Sequence, residues 1–198
     1  ADEYSKGGLA AKARFSKTTL TYGIALPRVP VLQFNGSRLF PQTFQGTQVS
    51  SSEIEHLTVN VAQFDKAVTP DSTDQRDIGI AAKDGRYRAT GVGDHFRYGG
   101  GSYQITPTLT GSYYYGALDD VYRQQFLGLI HTTRVGKGKM TTDLRAFSSR
   151  DIGAAKAGEV DNRAYSAAVG YNFDSGHSVL ATYQVMKGAT GFPYINNP

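Results

Sequence analysis

Apolar and polar side chains alternate residue by residue through most of this chain, a rhythm that fits strands and not helices. In GGLAAKARFSK one face carries Leu9, Ala11, Ala13 and Phe15, the other Lys12, Arg14 and Ser16. TTLTYGIAL sets Leu20, Tyr22, Ile24 and Leu26 against Thr19, Thr21, Gly23 and Ala25, with a tight turn at Ser16 to Thr18 between the two runs. The pattern returns with Leu57, Val59 and Val61 against Thr58, Asn60 and Ala62, and with Ile78, Ile80 and Ala82 against Asp77, Gly79, Ala81 and Lys83. Leu109, Tyr113, Tyr115 and Ala117 oppose Thr110, Ser112, Tyr114 and Gly116. The clearest pair comes last: Tyr165, Ala167, Val169, Tyr171 and Phe173 against Ala164, Ser166, Ala168, Gly170 and Asn172, then Val179, Ala181, Tyr183 and Val185 against Thr182 and Gln184, joined by DSGH.

Counted in this way, the chain is predicted to hold about ten strands of about nine to eleven residues, the length that crosses a bilayer when tilted. Its connections alternate in length. Short turns fall near Ser16, near Pro107, at GKGK and at Ser175; longer ones run from Pro27 to Ser52, from Asp84 to Phe96 and from Ser149 to Asn162. Short turns on one side and long loops on the other mark a transmembrane barrel. The predicted fold class is therefore all-β, an antiparallel transmembrane β-barrel formed by a single domain over residues 1–198. A soluble sandwich or lipocalin-like barrel also alternates, but it needs large apolar side chains to fill an enclosed core. Here the second face carries small, hydroxyl and charged groups and reads as wet.

Composition bears on the same choice. Hydrophobic residues make up 39% of the chain and mean hydropathy is -0.38. No span of about 20 apolar residues exists, which excludes a transmembrane helix and leaves a barrel open. The chain has 23 glycines, 13 tyrosines and 10 phenylalanines beside no tryptophan, which suits strands, tight turns and aromatic girdles. The absence of cysteine removes disulfides, thiolate metal sites and a cysteine nucleophile. A formal charge of +4 is spread without a basic block; it suits a solvated surface or an anion-attracting cavity, and argues against nucleic acid as a partner. ADEYSKGG lacks the basic start and apolar core of an export signal, as expected of a mature chain or an internal fragment.

The motifs of soluble enzymes are missing. GVGDHFRYGGG places Phe96 where a dinucleotide fingerprint needs glycine, and no P-loop Gly-Lys-Ser/Thr follows. His56, His95, His131 and His177 are far apart and form no close metal pair, so neither a metal nor another cofactor is expected. No G-x-S-x-G elbow is present. A barrel-borne hydrolase would need a spatially clustered serine, histidine and acid.

The polar face is more informative. Lys12, Arg14, Lys83 and Arg145 point with the small polar residues, accompanied by Asp77 and Asp143. If that face lines a channel, the fixed cations concentrate anions and hold carboxylates by forked hydrogen bonds, chiefly through arginine. The alternative is that these bases only pair with acids on neighbouring strands. The segment NGSRLFPQTFQG, too apolar for a solvated loop and too broken for a strand, lies in a loop of about 25 residues, a length that is usually functional. Folded into the barrel over residues 27–53, it would bury Leu39, Phe40 and Phe44 while Ser37, Arg38 and Gln42 narrow the pore and Pro41 stiffens it. Left outside, it would cover the barrel mouth.

SKTTLTYGIALPRVPVLQFNGSRLFPQTFQG followed by SSEIEHLTVNVAQF resembles the third-loop region of the OprD-like outer-membrane porins of Gram-negative bacteria. The resemblance continues through GGSYQITPTLTGSYYYGALDDVYRQQF and AKAGEVDNRAYSAAVGYNF into TYQVMKGATGFPYI, covering nearly the whole chain. It implies a substrate-specific channel, not an enzyme, for small carboxylate-bearing nutrients: amino acids, short peptides or aromatic acids. Some members admit carbapenem antibiotics. It further implies an inward-folded third loop with Ser37 and Arg38 at the constriction and a ladder of bases guiding the carboxylate. The expected partners are those solutes together with outer-membrane lipid and lipopolysaccharide, and the expected state is a monomer or a weak homotrimer. Family barrels have about eighteen strands, so a central portion lacking the first and last strands is expected; closure of ten strands into a smaller barrel is the alternative. The remaining alternative in function is a soluble or membrane-bound barrel that binds a ligand without conducting.

Overall fold

The computed structural model describes residues 7–38, 40–82 and 85–195. Three residues named above, Leu39, Lys83 and Asp84, lie outside that set. All regular structure among the described residues is strand. Ten long strands form one antiparallel sheet: β1 (Ala10–Phe15), β2 (Thr18–Ala25), β5 (Thr43–Ser51), β6 (Leu57–Val68), β9 (Phe96–Thr106), β10 (Leu109–Leu118), β11 (Tyr122–Arg134), β12 (Gly138–Asp151), β13 (Asp161–Phe173) and β14 (Ser178–Lys187). Neighbours in this sheet are consecutive in the chain, as in an up-and-down barrel wall, and the ladder runs from β1 to β14 without closing among the described residues. Two small ribbons, β3 (Arg28–Val29) with β4 (Leu32–Gln33) and β7 (Ile78–Gly79) with β8 (Val92–Gly93), belong to the long connections.

The alternation read from sequence sets the register. One row of partners runs Thr18, Ser51, Val59, Gly101, Tyr113, Leu127, Ala146, Tyr165 and Val185. This is the outer face. Leu9 and Phe15 are both 87% exposed there, and Tyr22, Val61, Tyr113, Leu127, Leu144 and Tyr183 are also exposed. A one-residue slip would invert every strand's two faces, so an apolar outer face fixes the pairing.

Two strand expectations need correction. Thr43–Ser51 was expected within a loop but is β5, paired to both β2 and β6. The long connection is therefore 26–42 and not 27–53. Conversely, 77–83 was expected to be a wall strand. Among the described residues only β7 forms there, inside the β6–β9 connection, and Ile78 and Ile80 are fully buried. Asp77 accordingly sits on no wall face; it pairs with Lys66.

The inner face is also less uniform than its sequence reading. Its short-turn half is wet, with Thr58, Ser102 and Ser112 in register with Gly128, Arg145 and Ser166. Its long-loop half is packed: Phe64, Phe96, Leu118 and Tyr122 form an inner row and are fully buried. Their cover comes from the connections, which bring Val29, Val31 and Leu32, Ile78 and Ile80, Val160 and Ile195 into the same cluster. The core thus lies inside the concave sheet near the long-loop end.

Candidate functional site

The loop 26–42 enters the concavity and stays there through specific contacts. The ribbon β3–β4 presses Val31 onto the inner face of β10 so closely that a Cβ at Gly116 would stand 3.0 Å from the Val31 Cβ and 3.0 Å from Phe96 Cζ. Any larger residue there would have to push Val31 or Phe96 back by a few tenths of an ångström. Below the ribbon the loop is tied twice. Phe34 N–H donates to Pro27 O at 3.1 Å and Gln42 N–H to Asn35 O at 2.7 Å, while Gln42 Oε1 accepts from Asn35 N–H at 3.2 Å. Between Asn35 and Gln42 the chain forms a small lobe whose entrance is an Asx turn: Asn35 Oδ1 accepts from the Ser37 N–H at 2.9 Å and from its hydroxyl at 2.6 Å. Val29, Val31 and Leu32 thus seat the loop, Asn35 and Gln42 turn it, and Thr43–Gly46 at the end of NGSRLFPQTFQG already belong to β5.

Ser37 and Arg38 lie on the exposed surface of this lobe, and Arg38 lines a cleft of about 660 Å³ with Arg28, Gln33, Phe34, Gly36 and Pro41. A second cleft of about 330 Å³ lies between the ribbon and the wall, bounded by Arg28 and Gln33 on one side and by Ser112, Tyr114, Asp143 and Arg145 on the other. Arg28 and Gln33 belong to both. Arg38 and Arg28 thus share the cleft at the lobe, and Arg28 and Arg145 share the cleft at the wall. Arg28 is stacked over the Phe34 ring with its Cζ 4.8 Å from the centroid, which orients the cation without neutralising it.

Gln42 takes no part in this lining. It is fully buried, so it staples the loop from beneath and does not narrow the passage. Lys12 and Arg14 do share the inner face, on the sheet-edge strand β1, where both are exposed. Arg14 Nε donates to Ser16 O at 3.2 Å. Arg145 instead grips Asp143 through three hydrogen bonds of 2.6 to 3.1 Å; its acid is two residues away on the same strand and not on a neighbouring one, as the pairing alternative had it. Of the histidines, His95 Nδ1 lies 3.1 Å from Asp119 Oδ2 at the long-loop rim.

Sequence reasoning missed Arg28, Gln33 and an inner row of rings: Tyr114 to Phe126 at 6.5 Å, Phe126 to Phe147 at 4.8 Å and Phe147 to Phe192 at 5.1 Å between centroids. It also missed Arg134 and Lys139, cross-strand partners on the inner face near the short turns. Alternation of Val29 and Val31, both buried, with intervening polar or constrained residues was the available signal for Arg28. For the rings there was none, because QQFLGLIH is apolar on both faces.

Comparison with known proteins decides what this wall belongs to. A family profile described as outer membrane porin, OprD family, matches residues 1–198. The chain is 36% identical to Porin D of Pseudomonas aeruginosa over 198 residues, 98% of its own length and 43% of that relative's. The chain belongs to the OprD family of outer-membrane porins. The family's solved barrels share its backbone: OccK5 (OpdH) of Pseudomonas aeruginosa has a TM-score of 0.91 at 40% identity, covering 99% of this chain and 52% of that one. OpdK of the same organism, solved with vanillate, gives 0.87 at 32% identity, covering 96% and 49%. The chain therefore spans about half the length of these OprD-family relatives. The open ten-stranded sheet corresponds to that share of a barrel wall, and the outer membrane is its place. Because these relatives are channel proteins, the hydrolase alternative falls away.

Proposed function

We propose that the protein is a substrate-selective channel for the passive uptake of small carboxylate-bearing solutes across the outer membrane, and that loop 26–42 is its constriction. The observation that carries this reading is the basic lining of two clefts that share Arg28, with Arg38 in one and Arg145 in the other, built where the inward loop meets the polar wall. Guanidinium groups in series suit passage, since each offers forked hydrogen bonds to a carboxylate and none encloses it. Lys12 and Arg14 extend the basic lining along β1. Ser37 and Arg38 narrow the passage from the lobe. Support for an aromatic carboxylate as solute comes from OpdK, solved with vanillate, and from the inner ring row beside Arg145. The apolar outer face suits lipid contact.

Planar-bilayer recording on the complete channel tests the reading. Discrete openings with an anion-shifted reversal potential, blocked by small carboxylates, are expected. Arg38→Ala should raise conductance and weaken anion preference about threefold, the size of one fixed charge close to the path in a watery pore. A reversal potential that does not move would remove Arg38 from the constriction.

A further inference from the structure

Asp143 and Arg145 stand two residues apart on β12 and point into the same cleft, opposite Arg28 of the loop. Their neighbours leave them to each other. Asp143 is flanked across the sheet by Ile130 and Ala168, and Arg145 by Gly128 and Ser166, none of them charged. The carboxylate takes Nε at 2.9 and 3.1 Å and Nη2 at 2.6 Å. Among the described residues Nη1 has no partner, and the Arg145 side chain is 52% exposed against 22% for Asp143. A guanidinium has five N–H donors. The pair thus uses the inner edge of the fork and leaves the outer edge in the cleft, with a net charge of zero.

Building on the channel reading above, we propose that Asp143 is a positioning residue that sets how long Arg145 holds a passing carboxylate. It fixes the guanidinium so that Nη1 is available, and it cancels the charge that would otherwise retain an anion. A rung of this kind recognises a carboxylate by hydrogen-bond geometry and releases it quickly. Unpaired, Arg145 would face Arg28 across the same cleft and join it in a stronger anion site.

The test is vanillate block of single complete channels at low salt, comparing wild type with Asp143→Asn, Arg145→Gln and the double variant. Asparagine keeps the shape and removes the charge, and Asp143→Glu serves as the second variant, restoring charge if asparagine disturbs folding. Heat-modified gel mobility reports the folded barrel in each case. The expected result is a vanillate dwell time lengthened about threefold to tenfold in Asp143→Asn, shrinking as salt is raised, near wild type in Asp143→Glu, and no lengthening when Arg145→Gln is already present. An unchanged dwell in folded Asp143→Asn, or equal lengthening in both backgrounds, overturns the assignment while leaving the channel reading intact. A wild-type channel that conducts but is indifferent to vanillate and other carboxylates overturns the channel's substrate class and this proposal together.

Discussion

Gln42 shows how one side chain can matter to a passage that it does not touch. Its backbone and side chain both bond to Asn35, closing the lobe that displays Ser37 and Arg38. Gln42→Ala leaves the half-buried Asn35 N–H without its side-chain acceptor, a loss of about 1 kcal/mol. Most of that loss should appear locally, as opening of the lobe. Trypsin cleavage after Arg38 in the folded channel should accordingly become several-fold faster, and an unchanged rate would mean that the ribbon alone holds the loop. At this scale the sequence was legible where a residue's role follows from its own strand. Arg145 and Asp143 lie on the inner face because alternation puts them there. Gln42 was not legible, because a glutamine between Pro41 and Thr43 carries no mark of burial until the chain folds back to Asn35. Arg28 escaped for the same reason, since its aromatic partner Phe34 lies across a two-strand ribbon.

Among the elements, the hairpins on the short-turn side are tied to one another as well as hydrogen-bonded within the sheet. The turn between β1 and β2 places Ser16 at a φ of 54°, in the left-handed region. The turn between β5 and β6 reaches across to it with Glu53, which accepts from the Ser16 hydroxyl at 3.0 Å, from Lys17 N–H at 2.7 Å and from the Thr18 hydroxyl at 3.1 Å. The Ser16 hydrogen bond, then those from Lys17 and Thr18, hold the Glu53 carboxyl below its ordinary range despite some opposing desolvation. A lowered folded-state pKa gives stability that is complete above the unfolded value and is lost as pH falls through the folded value. Resistance to urea should thus decline on acidification in wild type, with Glu53→Gln starting lower at neutral pH and declining less. Parallel pH profiles for the two proteins would refute the tie. Strands were readable from sequence wherever one face met lipid. They were misread at β5, where Phe44 faces the core and Val49 faces outward, so both faces carry an apolar residue. At Ile78 and Ile80 the error was the reverse. Their alternation was real, but loop packing and not a wall buries them.

The whole molecule is inside out at one end and conventional at the other. Near the long loops a packed cluster fills the concavity; toward the short turns the inner face is polar and the outer face apolar. Such a wall is stable only with hydrocarbon on one side and water on the other. Two positions on neighbouring strands separate the consequences. Leu127 on β11 is 54% exposed on the outer face, and its cross-strand partner Tyr113 is adjacent in sequence to Ser112, which lines the inner cleft. An arginine on the lipid face of a membrane barrel costs about 2–4 kcal/mol near the midplane, whereas lumen positions tune selectivity. Leu127→Arg should therefore lower the complete channel's unfolding free energy in lipid vesicles by about that amount. Ser112→Arg should leave the urea midpoint close to wild type while adding a cation beside Arg145 and shifting the reversal potential further toward anions. Equal losses of stability from both substitutions would indicate a dry interior, the property of a soluble ligand-binding barrel. An unequal pair fixes which face is wet, and with it the direction in which the basic lining points.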